Sequence, residues 1–183
     1  MEIKRDAYLQ QLIERKDNGM IKVITGIRRC GKSFLLFTIF KRYLLENGVG
    51  SDHIIEIALD GIENEELRDP KMCFKYIKDA VKDDGKYYLL LDEVQFMPRF
   101  EEVLNSLLRM SNIDVYVTGN NSKFLSSDIV TEFRGRCVFN FHLCAPHFCV
   151  YAHFLVTIFY HKTRYVSIFI PILCVYVYFY VMH

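Results

Sequence analysis

Ile21-Lys22-Val23-Ile24-Thr25-Gly26-Ile27-Arg28-Arg29-Cys30-Gly31-Lys32-Ser33 is the stretch from which the rest of the chain is read. Its first five residues are a short β-branched run stopped by glycine, which is a strand signal. The next eight, Gly26 to Ser33, fit G-x-x-x-x-G-K-[ST] without a mismatch. The glycines let the backbone curl so that successive N–H groups face one centre and form an anion nest. Ser33 to Glu46 then reads as a buried helix that stops near Asn47-Gly48. A helix opening near Lys32 adds the positive end of its dipole to the nest. The chemistry such a loop serves is phosphate binding, with Lys32 bridging the β- and γ-phosphates and the Ser33 hydroxyl ligating Mg²⁺. The candidate cradle is Gly26, Ile27, Arg28, Arg29, Cys30, Gly31, Lys32, Ser33 and Phe34. Within it, Arg28 and Arg29 either approach phosphate or stay solvated, and the sequence leaves both open.

Outward from this loop the chain alternates. Upstream, Tyr8, Leu9, Leu12 and Ile13 give Asp6 to Lys16 a helical spacing. Downstream, His53 to Leu59 is a second strand, followed by a polar loop with Asp60 and Glu63 to Glu66. Pro70 starts a helix through Val81, and Asp84-Gly85 turns the chain back. Tyr87 to Leu91 is a continuous apolar run, as a central parallel strand covered on both faces requires. Phe100 to Met110 is helical by pattern and Ile113 to Thr118 is a fourth strand. Strands separated by helices of this length imply a parallel sheet with right-handed crossovers. The fold class expected is three-layer α/β.

A second motif completes the first. The strand ending Leu89-Leu90-Leu91 delivers Asp92 at its C-terminal end, where open α/β sheets bind ligands. Asp92 is expected in the Mg²⁺ shell, and Glu93 is placed to act on the attacking water as a general base. An acid directly after Asp92 favours hydrolysis by water over transfer to a small-molecule hydroxyl. Val115 to Ser122 ends another strand in polar groups, so Thr118 or Asn120 is a candidate sensor of the γ-phosphate or its attacking water. Ordinary strand-end turn chemistry is the competing reading. Arg134 and Arg136 read either as an arginine finger, on this chain's nucleotide or a neighbour's, or as surface arginines.

Composition sets the remaining bounds. The 183 residues carry 23 basic and 22 acidic side chains, so nothing global attracts the chain to nucleic acid or to an anionic membrane. Met1 to Asp6 is charged and shows no secretory signal, and Cys30 and Cys73 stand isolated, which suggests a cytoplasmic protein. The character changes after Arg136. All nine glycines and all 22 acids precede that point, whereas Cys137 to His183 has no Asp, Glu or Gly and only two charges, Lys162 and Arg164. The expected organisation is therefore a nucleotide domain over 1–136 and an aromatic, hydrophobic tail over 137–183.

Four blocks come in a recognisable order: Ile24 to Ser33, Leu91-Asp92-Glu93-Val94-Gln95, Val117 to Ser122, and Phe133-Arg134-Gly135-Arg136. Together they resemble the prokaryotic AAA-type P-loop ATPases that carry a C-terminal domain of unknown function, over essentially Met1 to Arg136. Asp60 to Pro70 is also similar to that family's loop after the second strand. The resemblance implies an AAA-like core with ATP and Mg²⁺ as its cofactors. It implies a catalytic set of Lys32, Glu93, Asn120 and Arg136 and a metal set of Ser33 and Asp92. ATP over GTP also follows from the resemblance, and no Asn-Lys-x-Asp guanine-reading motif occurs. A second copy of the chain or another protein is the partner class implied. The alternative is a module that holds nucleotide without turning it over.

The family continues past this point with a fifth strand and a large second domain, whereas here the sequence turns acid-free. Three readings of the tail follow. An out-of-frame, truncated continuation explains the abrupt change in composition. A membrane anchor over Tyr165 to Met182 would rest on 18 uncharged residues, weakened by Pro171. A fifth strand over Val138 to Leu143 would rest on alternation, and His142, Cys144, His147 and Cys149 match no familiar zinc spacing.

Overall fold

The computed structural model describes residues 6–26, 29–120 and 137–143, with the backbone alone for Asn120 and 137–143. Five strands form one sheet in the order β2-β3-β4-β1-β5, and every pairing is parallel. They are β1 Ile21–Gly26, β2 Ile54–Ala58, β3 Tyr87–Asp92, β4 Ile113–Asn120 and β5 Cys137–Leu143. The last contains the Val138–Leu143 segment whose alternation suggests a strand, and it pairs along β1 with a register shift at Val23/Ile24. The described residues all fall in one compact unit that ends at Leu143.

Period-two alternation divides each central strand between two cores. Ile21, Val23, Leu89, Leu91, Val115 and Val117 face one core, which α4 (Pro70–Ala80) and α5 (Phe100–Leu107) cover through Cys73, Ile77, Val103 and Leu104. Ile24, Tyr88, Leu90 and Tyr116 face the other, under α1 (Asp6–Glu14) and the helical run after the glycine loop. This is the three-layer α/β arrangement, and all six residues of β3 are buried as a strand covered on both faces must be. Burial alone pushes the Cys73 thiol up to about 12.

The helices differ from the sequence pattern in two informative places. The run after the loop is α-helical over Lys32–Phe34 (α2), π-helical over Leu35–Phe40 and α-helical again over Lys41–Glu46 (α3). Its buried residues are Leu35, Leu36, Ile39, Phe40 and Leu44, a spacing wider than 3.6 that the π turns accommodate. Helix α1 stops at Glu14, two residues short of Lys16, because Asp17 leaves the helix at φ 59° and donates its N–H to the Asp114 carboxylate at 2.9 Å. By contrast α4 starts where Pro70 predicts, and the Asp69 side chain caps it by accepting from Lys71 and Met72 N–H. The polar stretch after β2 tightens into 3₁₀ turns over Ile62–Arg68.

The same sheet face is polar at both ends of β4. At the N-terminal end Lys22 (0% exposed) and Asp114 (2%) form a buried ion pair. Asp114 also accepts from the Tyr116 hydroxyl and Asp17 N–H, each at 2.9 Å. The Lys22 ammonium lies 5.1 Å from the Tyr116 ring centre. At the C-terminal end lie Asp92 and Thr118. Among the described residues no helix is long and apolar enough to cross a membrane. The candidate anchor at 165–182 lies outside the described residues, as do Cys144, His147 and Cys149.

Candidate functional site

Parallel strands put their C-terminal ends on one edge, and the register sets the neighbours there. Gly26 faces Asn120 across β1–β4, Ala58 faces Asp92 across β2–β3, and Leu91 faces Val117 across β3–β4. The glycine loop, the acid pair and the end of β4 therefore meet at a single edge, with β1 and β3 both flanking β4.

The loop leaves β1 at Gly26 and re-enters helix at Lys32. Gly31 is the N-cap at φ 86°, ψ 38°, a left-handed conformation that only glycine adopts without strain. It lets the chain turn into α2 so that Lys32 packs inward at 3% exposure, while Arg29 and Phe34 face solvent. The Lys32 ammonium donates to the Gly26 carbonyl at 3.4 Å and lies 3.7 Å from Glu93 Oε1. Of the nine cradle residues, Ile27 and Arg28 lie outside the described residues.

Asp92 ends β3 at 3% exposure and accepts hydrogen bonds from the Thr118 and Ser33 hydroxyls. Burial holds its carboxyl above the usual carboxylate range, against the pull of those two donors, and the Glu93 and Asp60 charges add to the rise. The sign matters. A raised carboxyl means that ionised Asp92 opposes folding above its folded value, and this opposition fades as pH falls through that value towards the unfolded one. A buried carboxylate against a hydroxyl is a hard oxygen set that a divalent cation would relieve, and Ser33 with Asp92 fits Mg²⁺ in this respect.

Glu93 sits one residue beyond the strand at φ 53°, ψ 50°. A non-glycine residue in this region costs of order 1–3 kcal/mol and persists only where its surroundings hold it. Three contacts do so. Its N–H donates to Thr118 Oγ1 at 3.0 Å, Oε1 faces Lys32, and Oε2 accepts from the Gln95 amide. Thr118, wholly buried, thus donates to one acid and accepts from the backbone of the next. Sequence reasoning put Thr118 near the γ-phosphate; in the structure its hydroxyl is committed to the acid pair.

Replacing Thr118 with Val keeps its volume and removes both bonds. The expected result is a loss of about 1–3 kcal/mol in urea unfolding of the nucleotide-free protein, because the Glu93 N–H and one Asp92 oxygen lose their partner. A loss under about 0.5 kcal/mol, the range of ordinary surface changes, would show the hydroxyl to be idle.

Nearby, Arg68 fastens the loop after β2, donating to Leu59 O at 2.8 Å, Gly61 O at 3.2 Å and Asp60 O at 3.3 Å. Its guanidinium lies 5.4 Å from the Phe96 ring centre, which ties the β2 loop to the turn after Glu93. The Asn120 backbone ends β4 beside Gly26; its side chain, Arg134 and Arg136 lie outside the described residues. Sequence reading missed Gln95 as a contact of Glu93. Its signal was its place in the block Leu91 to Gln95, two residues after the acid.

The chain is similar to known proteins in sequence and in fold. Residues 18–149 match the profile of a family described as AAA domain, a span that runs past Arg136. The chain is 36% identical over 137 residues to an uncharacterized protein of Haemophilus influenzae, covering 74% of this chain and 34% of that protein. It is 33% identical over 138 residues to an uncharacterized protein of Methanocaldococcus jannaschii, covering 73% and 27%. It thus spans only about a third, or less, of the length of these curated relatives. Among solved structures it is similar to C. elegans PCH-2, with TM-score 0.51, 19% identity and coverage of 77% of this chain and 41% of that one. It is also similar to a DNA polymerase III gamma subunit-related protein from Thermotoga maritima, with TM-score 0.53, 15% identity and coverage of 81% and 49%. At these identities the structural likeness speaks to fold.

Proposed function

Since this chain belongs to the AAA family of P-loop ATPases, we propose that it binds ATP with Mg²⁺ and hydrolyses it at the edge formed by β1, β3 and β4. The observation that carries this reading is the convergence of Lys32 and Ser33, at the start of α2, with Asp92 and Glu93, at the end of β3. Lys32 leaves Gly26 and Glu93 for the β- and γ-phosphates. Its charge is held in a buried place, where it acts more strongly than in water. Ser33 and Asp92 hold the Mg²⁺, which when bound neutralises phosphate charge. Glu93, freed from Lys32 on one oxygen, accepts a proton from water as that water attacks the γ-phosphorus. The bond from phosphorus to the β–γ bridging oxygen breaks, leaving ADP and inorganic phosphate. Asn120 and Arg136 complete the proposed catalytic set, and a second copy of the chain is the partner this class of site suggests.

The test is ATP titration and phosphate release by the purified chain with Mg²⁺ and with EDTA. The expected result is turnover that needs Mg²⁺ and disappears in Asp92→Asn. Nucleotide binding without phosphate release would make the chain a holding module, and no binding in either condition would end the reading altogether.

A further inference from the structure

We infer that Gln95 is a positioning residue for the hydrolytic step: it fixes the Glu93 carboxylate through Oε2 so that Oε1 alone changes partner when nucleotide enters. This rests on the hydrolytic reading above and adds to it a residue with a defined task.

The two oxygens of the Glu93 carboxylate have different partners. One faces the Lys32 ammonium at 3.7 Å and the other accepts from the Gln95 side-chain amide. The Lys32 contact is the one that phosphate binding takes away, because the same ammonium is needed on the phosphates. Once Lys32 has moved, a glutamate with free χ angles would sweep a wide volume. At 19% exposure it would also gain water on both oxygens. The Gln95 amide prevents this. A hydrogen bond to an ionised acceptor is among the stronger kinds, and this one spans only two residues within the turn Val94–Phe96. That turn is itself anchored, since its first residue Val94 and the following Met97 are buried and the Phe96 N–H donates to Glu93 O at 3.1 Å. The amide therefore sits on a packed support, which is what placing a general base within hydrogen-bond reach of one water demands. Gln95 touches neither phosphate nor water in this scheme and acts entirely through Glu93.

The experiment combines three readouts on the full chain: phosphate release, MgATP affinity and the nucleotide-free melting curve. Gln95→Ala should lower kcat about 10- to 100-fold, with MgATP affinity within about twofold of wild type and a melting temperature lower by only about 2–4 °C, the loss of about one hydrogen bond. In a Glu93→Gln background the same change should cause no further loss, since residues that act as a unit are not additive. A signature independent of turnover accompanies this. In the nucleotide-free protein one Gln95 side-chain amide proton should resonate downfield of its usual position and return in Glu93→Ala. Unchanged kcat in Gln95→Ala, or an equal loss in both backgrounds, overturns the assignment while leaving hydrolysis in place. An unshifted amide resonance does the same. Absence of phosphate release from the wild-type chain, with binding retained, overturns the hydrolytic reading and this role with it.

Discussion

Asp114→Ala should destabilise the folded chain by about 3–5 kcal/mol, the range measured when one partner of a buried ion pair is removed. Three groups lose their acceptor at once: the Lys22 ammonium, the Tyr116 hydroxyl and the Asp17 N–H. Lys22, on β1, is fully buried, and its ammonium pairs with Asp114 of the neighbouring β4. Burial already pulls the Lys22 ammonium below its usual range, and Asp114 is what opposes that pull. Urea unfolding would measure the loss directly. For a chain of this size the melting temperature should fall by roughly 6–20 °C. Joint replacement, Lys22→Met with Asp114→Leu, should recover only part of it, because the Tyr116 hydroxyl and Asp17 N–H remain unsatisfied. A loss below 1 kcal/mol for Asp114→Ala would mean that water reaches the pair in solution. The change lies at the opposite end of β4 from Thr118, so well below the melting point MgATP affinity should be unaffected.

The second large effect separates binding from chemistry at the site. Lys32→Ala should weaken MgATP binding by about 30-fold or more, the consequence of deleting a desolvated charge worth 2–5 kcal/mol against phosphate. Glu93→Gln should leave binding intact or slightly tighter, because it removes the carboxylate that shares Lys32 with the phosphates. Its turnover should nevertheless fall about 10²- to 10⁴-fold, the usual contribution of a general base. Calorimetric titration with a non-hydrolysable ATP analogue, beside phosphate release with ATP, distinguishes the two. If Glu93→Gln lost affinity as Lys32→Ala should, Glu93 would be holding the loop rather than serving the reaction.

Much of this was legible in the sequence because local chemistry fixes it. A β-branched run stopped by glycine reads as a strand, and the structure has that strand over Ile21–Gly26 and a left-handed Gly31 turning into the helix at Lys32. The apolar run Tyr87 to Leu91 could only be buried on both faces, and it is. What stayed hidden depends on which strands become neighbours. Thr118 reaches Asp92 only because β4 lies beside β3, and Lys22 finds Asp114 only because β4 also lies beside β1. Neither adjacency is written in any one segment. The left-handed backbone of Glu93 was hidden for another reason: nothing in Asp-Glu-Val-Gln marks it, and among the described residues contacts from Thr118, Lys32 and Gln95 sustain it. The π turns at Leu35–Phe40 were partly visible in the wide spacing of the buried residues, which a helical reading absorbs without notice.

The place of β1 in the sheet has a consequence for how the chain is made. Lys22 lines up with Tyr116 and Ile21 with Cys137, so both strands that flank β1 are encoded far downstream of it. During synthesis the six residues of β1 have no neighbouring strand until roughly 90 more have been added, which at ~5–20 residues per second takes about 5–20 s. Pairings of such long sequence separation are slow to close, and a bare apolar strand is prone to stick to others meanwhile. Chaperone capture of nascent chains should therefore be greatest before the Ile113–Asn120 segment emerges and fall after it. β1, encoded first, thus waits longest of the strands for a neighbour in the sheet.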